Sequence, residues 1–314
     1  MINDLNKSKK VLITGGTGMV GKRLVQTLTD KGYEVAVITR KVKNQPSQPN
    51  VTYYKWDFEK DVIDEDALND TDAIIHLAGS GVMDKKWNKA YREEILKSRT
   101  ESISYLLQKL QNSNHKVKTL VSASAIGWYG PDLKQDSAFI EEDPSSNHFL
   151  GQTCKLWEQS AEQAESLGIR VCKLRIGIVL SDKGGALPEF VKPIKMGIAA
   201  IFGNGKQMVS WIHVEDLCRM FLFALENESL NGSYNAVAPT PTSNKNLVVS
   251  TAKLLKGRFW IPIHVPSLFL KCLLGERSIE LLKSTTVSSK KISSAGFTFL
   301  YPEIGQALKK ILKP

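Results

Sequence analysis

Near the amino terminus the chain alternates short apolar runs with longer stretches in which apolar residues recur every three or four positions. Val11 to Thr14 is a run of apolar and β-branched residues, the pattern of a short buried strand. Gly15, Gly16, Gly18 and Gly21 follow with no spacer. Val20, Leu24, Val25 and Leu28 then recur at helical spacing from Met19 to Lys31, and Gly32 supplies a carboxyl-terminal cap. Further strands are predicted at 34–39, 51–56, 72–76, 117–122 and 170–174, with helices over 87–110 and from Leu150 through Ala161. Strands alternating with helices in this way predict an α/β fold, a Rossmann-type doubly wound parallel sheet. From about Leu180 the alternation weakens. We therefore expect an amino-terminal domain over 1–180, with return contributions near 208–240, and a smaller C-terminal substrate lobe over 181–314.

The first strand, its glycine turn and the helix behind it form a corner suited to phosphate. Glycine allows positive φ and close backbone approach, and the helix start offers unpaired N–H groups and the positive end of its dipole. Cβ at Gly21 would hold helix and strand apart. This corner predicts dinucleotide binding by Thr14, Gly15, Gly16, Thr17, Gly18, Met19, Val20 and Gly21. An NAD site usually places a carboxylate at the end of the second strand, roughly 20 residues on, to hold the ribose 2′-hydroxyl. Here Thr39, Arg40, Lys41 and Lys43 occupy that position, and a guanidinium accepts a 2′-phosphate in a charge-assisted pair. NADP(H) is therefore the expected cofactor. Asp57 and Phe58 end the third strand as an edge and a face for adenine. Leu77, Ala78 and Gly79 follow the fourth where it approaches the cofactor ribose, and His76 alone reads as a packed histidine. On the long helix, Arg99 is expected to face the anionic ligand with Glu94 orienting it.

Charge and composition narrow the partners. The formal charge is +10 and the pI near 9.3, but the lysines are scattered and no basic run is interleaved with stacking aromatics, so nucleic acid is not expected. Attraction for an anionic ligand is the better account of the excess. Cys154, Cys172, Cys218 and Cys272 lie far apart with no metal-ligand spacing, which predicts a reduced compartment and no metal. The polar start MINDLNKSKK and the lack of a run of ~20 apolar residues predict a cytoplasmic protein with no membrane partner. In the carboxyl-terminal lobe, Gly184, Gly185, Gly203 and Gly205 flank a helix near 187–196, a mobile loop pair suited to gating a small-molecule substrate. Lys183, Lys192, Lys195, Lys206 and Gln207 would face that substrate. Residues 265–282 are strongly apolar, reading as a packed helix pair or an oligomer face of a homodimer, and a last helix over 304–312 is expected to pack on the sheet.

With these residues in view, the chain resembles the extended short-chain dehydrogenase/reductase superfamily. The resemblance rests on GGTGMVG at 15–21, HLAG at 76–79, the serine strand running into Tyr129-Gly130, Leu174-Arg175-x-Gly177-x-Val179-Leu180, and Trp211 to Leu217. More narrowly it is similar to the atypical NADP-binding "epimerase family", through 181–187, 202–207, 235–239, 274–276, Ala295-Gly-Phe297 and Tyr301-Pro302. The likeness adds Arg175 and Leu180 to the expected cofactor residues and implies an oxidoreductase or epimerase acting on a small polar substrate such as a nucleotide sugar. The alternative is a non-enzymatic NADP(H)-binding sensor or interaction module.

Extended members carry Tyr-x-x-x-Lys, in which the tyrosine is general acid/base and the lysine lowers its pKa, with a serine from the fifth strand polarising the substrate oxygen. Counting back four from Lys155 gives Gly151, and aligning on Glu158 instead gives Leu150 and Cys154; neither register supplies a tyrosine. Ser124, or failing that Ser122, remains as a hydroxyl donor, Lys155 as a ribose contact, and Tyr129 as a substitute phenol. Against this, Tyr129 fits a loop-supporting role, as His213 fits that of starting a helix.

Overall fold

The computed structural model describes residues 9–43, 45–113, 115–132 and 137–313. The polar start read as lacking an apolar leader lies, up to Ser8, outside the described residues. In chain order the amino-terminal part comprises β1 (Lys10–Thr14), α1 (Met19–Asp30), β2 (Glu34–Thr39), β3 (Val51–Asp57), β4 (Val62–Ile63), β5 (Ala73–His76), α2 (Lys89–Gln111), β6 (Thr119–Ala125), α3 (Phe149–Glu162) and β7 (Arg170–Ile176). Then follow β8 (Ile178–Leu180), α4 (Leu187–Lys195), β9 (Ile198–Phe202), β10 (Met208–Val209), β11 (Trp211–His213), α5 (Val214–Glu226) and β12 (Gly232–Ala236). The chain closes with β13 (Thr242–Ser243), α6 (Asn244–Lys256), β14 (Ile261–Val265), α7 (Ser267–Leu274), α8 (Ser278–Leu282), α9 (Lys290–Ser294) and α10 (Ile304–Leu312).

The central sheet runs β12-β7-β6-β5-β1-β2-β3-β4 and is parallel except for β4, a two-residue antiparallel edge. This is the Rossmann-type doubly wound sheet, with helices on both faces. One face buries Leu24, Val25 and Leu28 of α1 with Leu217, Phe221 and Leu225 of α5; the other buries Ile103, Leu106 and Leu110 of α2 with Ala161 of α3. The inner strands are apolar on both sides because both faces are covered. Thus Val11, Leu12 and Ile13 are all fully buried. Strand order reverses beside β1, so a crevice opens at the carboxyl ends of β1, β2 and β5, where such sheets bind ligands.

The carboxyl-terminal part departs from expectation twice. Helix α10 does not reach the central sheet. Its Ala307 and Leu308 join Leu180, Leu187, Trp211 and Leu247 in a separate core, because the apolar stripe of α10 meets α6 first. Residues 265–282 do form two helices in contact, α7 and α8, but the pair is only partly covered: α7 buries Leu270, whereas Leu268, Phe269 and Leu273 face solvent. Among the described residues no helix is long and apolar enough to cross a membrane.

Candidate functional site

The β1–α1 corner leaves its donors open. Gly15 has φ of +68°, and Cβ there would stand 2.8 Å from the Leu77 carbonyl. A larger residue would therefore push apart the tips of β1 and β5. Gly18 differs: its φ is ordinary at −74°, and an added Cβ would meet the protein only at Gly15 O, 3.3 Å away. A side chain at Gly18 asks only a small give of the Gly15 carbonyl, whereas a ligand on its solvent side would lose its space. No side chain caps α1 and no acidic residue sits in its first turn. Its N–H groups and dipole are thus uncompensated.

A cleft of about 750 Å³ extends from this corner, lined by Gly15, Thr17, Gly18, Thr39, Arg40, Asp57, Phe58, Leu77, Ala78 and Gly79. Arg40 is exposed at its edge, and among the described residues no carboxylate pairs with it. Asp57 is buried and its Oδ1 lacks a hydrogen-bond partner. Three features thus fit a dinucleotide: an uncapped helix start for the diphosphate, an orphaned carboxylate oxygen for an exocyclic amine, and a guanidinium for a further phosphate.

Other expected contacts are placed differently. Thr14 is fully buried: its Oγ1 accepts the Leu77 and Ala78 N–H groups at 3.1 and 3.0 Å and lies 2.8 Å from His76 Nδ1. With both acceptor sites filled, the hydroxyl donates to the imidazole, and Thr14 pins β1 to β5 instead of touching a ligand. Burial drives the His76 pKa down to about 3, so the ring is neutral. Arg99 lies beneath Gly79, donating to Ser80 O at 2.9 Å and to Ile95 O at 2.9 Å over the Trp157 ring. Glu94 does not orient it. Instead Glu94 pairs at 2.7 Å with Lys85, a cation at the cleft edge that sequence reasoning missed because it precedes the helix in an irregular segment. Leu180 is wholly buried in the second core and Val20 packs on the first. Lys41 is exposed, and Met19 packs against Gly184 and Gly185 of the loop after β8.

At the opposite end of the sheet, polar groups satisfy one another. The Glu158 carboxylate accepts Ser124 Oγ at 2.7 Å, Arg175 Nε at 2.8 Å, Arg175 Nη2 at 3.0 Å and Ser233 Oγ at 2.9 Å. Arg175 also donates to Tyr129 OH and Glu141 O and stacks 3.7 Å over Trp128. Tyr129 OH in turn donates to Asn235 Oδ1 at 2.6 Å, and burial pushes its pKa up to about 12. Ser124, Tyr129 and Arg175 are all nearly inaccessible. None is free to meet a cofactor or substrate. Ser122 is buried too, donating to Ala123 O. Lys155 is exposed on α3. At Gly151 an added Cβ would lie 3.0 Å from the Ser146 carbonyl carbon, so the segment before α3 occupies the space a side chain would need. His213 starts α5, its Nδ1 accepting the Glu215 N–H.

A second cleft, about 810 Å³, lies between the start of α3 and the α7–α8 segment. Trp87, Arg92, His148, Phe149, Lys271 and Lys283 contribute to its wall. The Arg92 guanidinium sits 5.0 Å over the Phe149 ring and pairs with Glu276. No sequence motif marks these residues; tertiary packing alone collects them. Of the lobe residues expected here, Gln207 is buried, donating to Phe202 O and Leu281 O, while Lys183 pairs with Asp182 and Lys192 with Glu189. Lys195 and Lys206 are exposed and line neither cleft.

Comparison with known proteins shows the family and the fold. Residues 11–236 match the model of the NAD dependent epimerase/dehydratase family, and residues 265–311 match a domain of unknown function, DUF1731. Epimerase family protein YfhF of Bacillus subtilis (strain 168) is 35% identical over 306 residues, spanning 96% of this chain and 97% of that protein. The structure of the human epimerase family protein SDR39U1 (isoform2) with NADPH superposes with a TM-score of 0.82 at 28% identity, covering 96% of this chain and 98% of that one. UDP-N-acetylglucosamine 4-epimerase from Methanobrevibacter ruminantium M1, at 20% identity, shares the fold with a TM-score of 0.81 over 98% of both chains.

Proposed function

Because the chain belongs to the NAD dependent epimerase/dehydratase family, we propose that it binds NADP(H) and acts as an oxidoreductase or epimerase on a small polar, anionic substrate such as a nucleotide sugar. The observation that carries this reading is the pairing, within one cleft, of an uncapped α1 start with an unpaired Arg40. The NADPH complex of the human relative supports the choice of cofactor. When bound, the nicotinamide supplies hydride chemistry. The chain's own residues do the rest. The N–H groups behind Gly18 hold the diphosphate, Arg40 with Thr39 and Lys41 neutralises the 2′-phosphate, and Asp57 with Phe58 takes the adenine. Arg92 and Lys271 draw an anionic substrate into the second cleft, and Trp87 and Phe149 give it an apolar wall.

In this reading the protein works without the Tyr-x-x-x-Lys dyad. Ser124 and Tyr129 are committed to the Glu158–Arg175 pair, which leaves His148, at the start of α3 in the second cleft, as the group to move a proton. A second reading, an NADP(H)-binding sensor without turnover, is favoured by the same committed network. Calorimetry with NADPH and NADH tests the cofactor, and absence of heat with both would overturn it. Nicotinamide oxidation or epimer formation across a panel of carbonyl compounds and nucleotide sugars separates enzyme from sensor. A reducing, cytoplasmic setting accompanies either reading, since the four cysteines are unpaired.

A further inference from the structure

The rim of the carboxyl-terminal lobe breaks the rule that large apolar side chains find cover. Phe259 is 86% exposed, Met196 75%, Leu268 73% and Ile261 68%. They are not scattered. The β9–β14 ladder pairs Ile261 with Ile198, and Ile261 N donates to Gly197 O beside Met196, so Met196, Ile198 and Ile261 adjoin one another. Pro266 then leads from β14 directly into α7, which buries Leu270 and leaves Leu268, Phe269 and Leu273 exposed. A monomer rarely leaves such a contiguous patch without an interaction to serve.

The charge around the patch selects the partner. No aspartate or glutamate occurs from Ser229 to Gly275, whereas Lys245, Lys253, Lys256, Arg258 and Lys271 all do. Arg258 and Lys271 are exposed and flank Phe259 and Leu268, and Lys195 precedes Met196. Among the described residues none of these three cations has a carboxylate partner. A second copy of the chain would set these cations against themselves. Strand pairing is opposed as well, because Pro262, the second residue of β14, removes an N–H from the strand. Apolar side chains ringed by unpaired cations suit a surface that is apolar inside and anionic outside.

We propose that this rim, from Met196 through β14 and α7, docks peripherally on an anionic phospholipid bilayer. The Phe259, Ile261 and Leu268 side chains enter the headgroup boundary, and Lys195 and Arg258 meet the lipid phosphates. The expectation of no membrane partner rested on the lack of a spanning segment, and a peripheral surface needs none.

The test is sedimentation of the full chain with vesicles of phosphatidylcholine alone or mixed with phosphatidylglycerol. Binding is expected on the anionic vesicles, weakened by salt, and absent on the neutral ones. Phe259→Glu, Leu268→Glu and Arg258→Glu should each lower partitioning by about tenfold. Thermal stability and NADPH affinity should stay unchanged, since all three side chains are exposed and outside both clefts. Failure to sediment with anionic vesicles, equal binding to neutral ones, or insensitivity to all three variants would overturn the proposal. So would a lipid-independent dimer, or capture of an acidic protein, that Phe259→Glu disrupts while vesicles stay unbound.

Discussion

The two ends of the central sheet's ligand edge treat polar groups in opposite ways. At β1–β2 the protein leaves them open: a helix start without a cap, a buried Asp57 oxygen without a donor and, among the described residues, an exposed Arg40 in no carboxylate ion pair. At β6–β7 nearly everything is matched, with four donor contacts converging on the Glu158 carboxylate and Arg175 bonded on three sides. Unsatisfied buried groups cost free energy, so they persist where a ligand satisfies them; satisfied networks hold structure. The contrast suits the first region to a ligand and the second to a brace, even though the second carries the serine and tyrosine that chemistry first suggests.

The largest expected effect is on the brace. Glu158→Ala or Arg175→Ala strands a buried charge and should cost about 3–5 kcal/mol of stability. Chemical denaturation measures it, and a loss under about 1 kcal/mol would break the contrast. Next comes Gly18→Val, which should weaken both nicotinamide cofactors by about 100-fold with a smaller effect on the melting temperature, since within the fold the added Cβ meets only Gly15 O. Unaltered affinity would move the diphosphate elsewhere.

Between the two regions, His76 makes the fold sensitive to acid. Its folded pKa of about 3 lies below the ordinary 6.5, so the unfolded chain takes up a proton that the native state refuses. Stability should therefore be intact above pH 6.5 and fall as pH drops toward 3, by about 2 kcal/mol at pH 5 from this group. Denaturant titrations of wild type and His76→Asn at several pH values would show that slope vanish in the variant.

Arg40→Asp should cost NADPH about tenfold more affinity than NADH; equal losses would leave no basis for NADP. The smallest effect is that of Tyr129→Phe, about 1 kcal/mol of stability with kcat unchanged. A collapse of kcat at constant cofactor affinity would return Tyr129 to the chemistry.

The local code was legible. Val11–Thr14, the glycines and the Met19 helix read correctly because strand, turn and helix follow from periodicity and conformational freedom over a few residues. The place of Arg40 at the cleft edge was legible for the same reason, since its distance from the glycines along the chain sets it just past the next strand. Small polar and charged residues whose partners are distant in the chain were less so. Thr14 looked like a ligand contact until its Oγ1 proved occupied by the N–H groups just after β5, more than 60 residues away. Arg175 and Ser124 looked available until α3 brought Glu158 between them.

What the sequence alone determined, then, is the alternation of strands and helices that makes a parallel doubly wound sheet and the glycine turn between β1 and α1, because each depends on residues close together in the chain. Which polar side chains are free was decided only by tertiary structure. A donor's availability depends on whether some remote segment has already supplied its acceptor, and nothing in local spacing records that. The same holds for the uncovered rim around Phe259: an apolar run reads alike whether the fold buries it or leaves it facing outward.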